Sequence, residues 1–146
     1  MDVTVTGLQP GDESRIAAYF ADSRYGVIAA YVFGSAAEGR MHRDSDIDIG
    51  VLLDRSRYRT SAERFEIRLA LLALLPSAVG GRDIDLVILN DCPPTLARHI
   101  IMDGRQLVCL DATAVHAFRR MTLSRAADLI PFLRRTREAK LRSLRS

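Results

Sequence analysis

Three carboxylates stand where carboxylates are rare. Asp46 and Asp48 alternate with Ile47 and Ile49 at the start of an apolar run ending at Leu53, and Asp85 sits between Ile84 and Leu86 in a second such run. Asp is a poor strand former. In a strand, a period of two places Asp46 and Asp48 on one face and the isoleucines on the other. If Asp85 converges on that face, three carboxylates repel one another unless a cation joins them. Mg²⁺, which binds through a few carboxylates plus substrate phosphates, suits such a cluster. Gly34-Ser35 directly follows a third apolar run, residues 27–33. Glycine there lets backbone approach a phosphate closely, and free N–H groups at a helix start bind anions. A phosphate cradle beside an acid cluster predicts nucleotide and metal. The blander alternatives are a structural turn with solvated strand ends and, for Asp85, a salt bridge to Arg82.

Other reactive side chains offer less. His42, His99 and His116 are scattered without metal-ligand spacing, so they are expected to be surface or core histidines. Cys92 and Cys109 are too few for a disulfide framework or a four-ligand zinc site. They are expected to be inert buried thiols. No feature marks Tyr25, Tyr31 or Tyr58 as modification sites.

The elements that must position the acids follow from periodicity. Asp12-Glu13-Ser14 ahead of Ile16, Ala17, Tyr19 and Phe20 predicts a helix. Residues 27–33 read as a buried strand stopped by Gly34, and 46–53 and 83–89 as two more. A polar stretch with a possible helical turn, 35–45, links the first two strands. Residues 61–75 are predicted helical, with Phe65, Leu69, Leu72 and Leu75 on one side, and are ended by Pro76 before a Gly80-Gly81 turn. A helix over 94–103 opens on proline and stops at Gly104. A short strand over 105–110 follows. From 113 onward the chain reads as helix, with a kink or break expected at Pro131. The order is α-β-α-β-α-β-α-β-α, one domain spanning 1–146 with a C-terminal helical arm over 113–146.

The 146-residue length fits one domain, and 48% hydrophobic with 27% charged residues excludes intrinsic disorder. No apolar run is long enough to span a bilayer and the N-terminus lacks signal-peptide character, so the cytoplasm is the expected location. The net charge of +3 is unevenly spread. Residues 119–146 carry nine basic side chains against Asp128 and Glu138, a net +7, which leaves −4 for residues 1–118. A basic arm on an acidic body fits nucleic acid, a membrane surface, an acidic protein or simply a solvated helix face.

Gly34-Ser35, ten residues, then Asp46-Ile47-Asp48 resembles the GS-x₁₀-DxD signature of the DNA polymerase β-like nucleotidyltransferases. The flanking Phe33 to Gly39 and Asp44-Ser45 are similar to the minimal nucleotidyltransferases (MNT proteins). So are Asp85, Pro93-Pro94-Thr95-Leu96 and Gly104 to Val108. His42-Arg43 departs from the pattern, where relatives often carry Arg or Lys followed by Pro. The resemblance implies a polymerase β-like α+β fold with a mixed four-stranded sheet flanked by helices. It also implies an antitoxin that transfers AMP from ATP to a tyrosine of a cognate HEPN ribonuclease toxin, with RNA contacted only through the toxin. By the same resemblance, Gly34 and Ser35 hold the β- and γ-phosphates, Asp46 and Asp48 bind two Mg²⁺ ions, and Asp85 completes one metal site and takes the acceptor's proton. The family places the third acid directly before Leu-Val, which selects Asp85 over Asp83. The rival readings are a small-molecule nucleotidyltransferase of the aminoglycoside-modifying type and an antitoxin that acts by binding alone.

Overall fold

The computed structural model describes residues 11–34 and 46–145. Four strands form one mixed sheet in the order β3-β2-β1-β4. They are β1 (Val27–Phe33), β2 (Ile47–Leu53), β3 (Ile84–Ile88) and β4 (Arg105–Cys109). β1 runs antiparallel to both β2 and β4, and β2 runs parallel to β3. The helices are α1 (Asp12–Ala21), α2 (Ser61–Leu74), α3 (Pro94–Asp103) and α4 (Ala112–Arg145). This is the expected mixed four-stranded α+β arrangement. The possible helical turn between β1 and β2 lies outside the described residues, as do Ser35, His42 and Arg43.

Two apolar layers hold the sheet. On one face Ile16 and Phe20 of α1 and Leu71 of α2 join Val32, Ile47, Ile49 and Leu86 in a buried cluster. On the other, Ala97 and Ile100 of α3 close over Ala29, Tyr31, Leu52 and Leu89, with Val115 and Phe118 of α4 alongside. Ile47 and Ile49 are fully buried, and each such side chain contributes about 1.5–3 kcal/mol. A one-residue slip of β2 would expose both isoleucines and drive both aspartates into the core. The register of the acids is therefore fixed by the residues between them.

Several local expectations are corrected. Of the expected side of residues 61–75, Leu75 is buried and Leu72 partly covered, but Phe65 and Leu69 are half exposed, and the buried face runs instead through Leu71 with Ile67 partly covered. Every position from Leu69 to Leu74 is apolar, so periodicity alone could not choose the inward side. Of the kink or break expected at Pro131, the break does not occur: α4 passes through it as one helix. Cys109 is exposed, because it ends the edge strand β4; only Cys92 is partly buried. Burial pushes the Cys92 thiol up to about 11, which keeps it protonated and unreactive at neutral pH. Arg82 makes an ion pair with Asp12 at 4.0 Å, on the α1 side of the sheet.

At the other edge of the sheet, β3 is guarded by α2: Arg68 Nε donates to Leu86 O at 2.8 Å. Asn90 extends the β2–β3 pairing beyond the strands, accepting from Leu53 N at 2.9 Å and donating to Leu53 O at 3.0 Å. No described helix is long and apolar enough to cross a membrane.

Candidate active site

The acids meet at one end of the sheet. Asp48 and Asp85 are register partners on the parallel strands β2 and β3, so their side chains emerge from the same face, side by side. Asp46 stands two residues before Asp48, just ahead of β2, and is exposed. Asp83 also lies just ahead of its strand, and its backbone carbonyl accepts from Ile47 N at 2.9 Å. That bond closes the β2–β3 pairing at the site end, one position ahead of the Asp48–Asp85 pair.

α3 shapes the floor. Its Ile100 packs on Gly50, where an added Cβ would lie 3.1 Å from Ile100 Cγ2. Gly50 is the next residue on the face that carries Asp48, so the helix covers the sheet up to Gly50 and leaves the acids open. At the end of α3, a Cβ on Gly104 would crowd Ile100 O and lie 2.9 Å from Val32 O. Gly104 was legible as a helix stop, but its φ of −80° is ordinary. Its reason is close approach of the helix end to β1. Gly50 was missed altogether, although a glycine inside an apolar strand is itself a signal of close packing.

Gly34 closes the third side. It has φ +68°, a left-handed conformation that favours glycine. A Cβ there would run into Asp48 Oδ2. The backbone that turns out of β1 is thus pressed against the central carboxylate, and any side chain at this position would fill the space between them.

The electrostatics mark Asp48 as the stressed member. Burial first, then the charges of Asp85 and Asp46, raise its carboxyl above the usual carboxylate range. Among the described residues no three His, Cys, Asp or Glu side chains stand close enough together to hold a metal ion by themselves, so Asp46, Asp48 and Asp85 are not a complete ligand set. A cation at Asp48 would relieve this penalty, with further oxygen ligands drawn from outside the three acids, such as phosphates. A cavity of about 530 Å³ lies at the opposite end of the sheet, between Val27, Leu53 and Phe118. It holds none of the three acids, so charge and register identify the site where concavity alone would not.

Comparison with known proteins agrees with this geometry. Residues 15–113 match the family model described as polymerase beta, nucleotidyltransferase. The chain belongs to the polymerase β nucleotidyltransferase family. This nucleotidyltransferase is 32% identical over 100 residues to the protein adenylyltransferase MntA of Shewanella oneidensis, covering 68% of this chain and 67% of that one. It also superposes on a crystal structure of a toxin–antitoxin with AMP-PNP at TM-score 0.65 and 28% identity, covering 92% of this chain and 98% of the other. A structure of the MntA–HepT toxin–antitoxin gives TM-score 0.61 at 25% identity, covering 94% and 100%.

Proposed function

We propose that this nucleotidyltransferase is the antitoxin of a toxin–antitoxin pair and transfers AMP from ATP to a hydroxyl of its cognate HEPN-type toxin, a tyrosine by the family resemblance. The observation that carries this is Asp48 beside Asp85, against the backbone of Gly34. That arrangement can accept a triphosphate and an attacking hydroxyl at one place. The likeness to a protein adenylyltransferase supports a protein as the acceptor. The likeness to a toxin–antitoxin structure with AMP-PNP supports ATP as the donor.

In this reading the backbone at Gly34, with Ser35 after it, binds the β- and γ-phosphates. Asp46 and Asp48 would hold two Mg²⁺ ions and Asp85 would share one of them. The metal, when bound, supplies positive charge against the triphosphate and the acids. The acceptor oxygen attacks the α-phosphorus, the bond to the pyrophosphate oxygen breaks, and the hydroxyl proton passes to the Asp85 carboxylate. The protein's share is positioning and charge stabilisation, as in phosphoryl transfer generally.

The test uses ATP labelled at either the α- or the γ-phosphate, with the cognate toxin as acceptor. Label from the α-position alone should appear on the toxin. Transfer from the γ-position would make the chain a kinase, and transfer from neither would remove the catalytic reading.

A further inference from the structure

α4 outlasts the domain it packs on. Its fully buried residues are Thr122 and Ala126, and every residue from Pro131 to Arg145 is exposed. That exposed stretch is about 22 Å of helix at 1.5 Å per residue. It carries Arg134, Arg135, Arg137, Lys140, Arg142 and Arg145 against Glu138 alone. At 100° per residue, Leu133, Leu141 and Leu144 continue the side of the helix that is buried at Thr122 and Ala126 and partly buried at Val115. All three leucines are exposed, Leu144 at 78%. Arg137 and Lys140 fall on this same side, between Leu133 and Leu141.

We infer that residues 131–145 form a docking helix whose leucine-and-cation face seats in an acid-lined apolar groove of a protein partner. The position of the cations decides among the candidates. A membrane-surface helix keeps its cations on the face opposite its apolar residues, whereas here hydrocarbon would have to receive Arg137 and Lys140 together with the leucines. RNA would use the cations and leave three leucines in water. Two copies of the arm, packed face to face, would bring a dozen cations together. A protein groove alone can offer pockets to the leucines and carboxylates between them, the helix-in-groove mode. Resting on the proposed function, the partner is the cognate toxin, and the arm is an anchor separate from the carboxylate site.

Two double variants test this, Leu141→Ser with Leu144→Ser and Arg137→Gln with Lys140→Gln. All four side chains are exposed and none belongs to the core or the carboxylate site, so the body's thermal transition should not move. Each double variant should weaken toxin binding at least tenfold. AMP transfer at saturating toxin should stay within twofold of wild type. Asp48→Asn should show the reverse pattern, with binding kept and transfer lost. Unchanged toxin affinity in both arm variants would overturn the docking helix. So would arm-dependent binding to phosphatidylserine vesicles or to toxin-free RNA in place of toxin. Arm-dependent toxin binding without any AMP transfer would leave the docking helix standing and remove the proposed catalysis. A wild-type chain with no affinity for the toxin would remove both.

Discussion

At the scale of single residues, Asp48 carries a charge that its surroundings disfavour. Its carboxyl is raised by burial and by Asp85 and Asp46, so its folded-state value lies above that in the unfolded chain. Such a group costs no stability at pH values below its unfolded range, and the penalty grows as pH rises through the folded value. Asp48→Asn should therefore raise the Tm of the metal-free protein by about 2 °C at pH 7. The gain should vanish near pH 3, and calorimetry across that range checks it. A lower Tm at pH 7 would show that the carboxylate is stabilising. The acids themselves were legible in the sequence, because strand alternation with isoleucine leaves them a single face. Their cross-strand partnership was expected only as a convergence, since no local pattern gives the register of β2 against β3. Gly34 was legible as the residue that stops the first strand, and it turns there with φ +68°. That its backbone abuts Asp48 depends on the pairing of β1 with β2, which no stretch of sequence shows.

At the scale of elements, strong patterns read correctly and uniform ones did not. α3 runs from Pro94 to Asp103 as its flanking proline and glycine dictate. For α2 the expected side was right at Leu72 and Leu75 and wrong at Phe65 and Leu69, because its apolar residues surround the helix and only packing on the sheet selects the inward side. Asn90, which clamps Leu53 at both its N–H and its carbonyl, gave no warning, since a polar residue after a strand usually marks a turn. Pro131 shows the limit of a local rule: α4 continues through it, at a level where Ile130 is still partly buried and Phe132 is exposed. Proline removes the hydrogen bond to the carbonyl four residues back, and its cost in a helix interior is about 3 kcal/mol. Pro131→Ala should slow amide exchange through residues 132–145 at least tenfold while leaving the body's Tm within 1 °C. Equal exchange in the two proteins would mean that the helix beyond Pro131 gains nothing from the restored bond.

At the scale of the whole molecule, charge and chemistry are divided between two regions. The acidic body presents its carboxylates at one end of the sheet, with Gly34 and α3 framing them. The basic arm extends from that body on the single long helix α4. This division follows from the sequence, in which +7 falls after residue 118 and −4 before it. The sheet order follows only from the fold, because antiparallel β1–β2 and parallel β2–β3 pairing both suit the same run of predicted strands. If Asp46, Asp48 and Asp85 form the metal site proposed above, ATP binding depends on a divalent cation. Titration calorimetry of ATP against the full chain, with Mg²⁺ or with EDTA, tests it most directly when repeated on the Asp46→Asn, Asp48→Asn double variant. Wild type should bind ATP at least tenfold more tightly with Mg²⁺ than with EDTA, since the triphosphate otherwise faces three carboxylates. In the double variant that difference should fall below threefold. Equal affinity with Mg²⁺ and with EDTA in the wild-type chain would mean that the three acids hold no cation for the nucleotide.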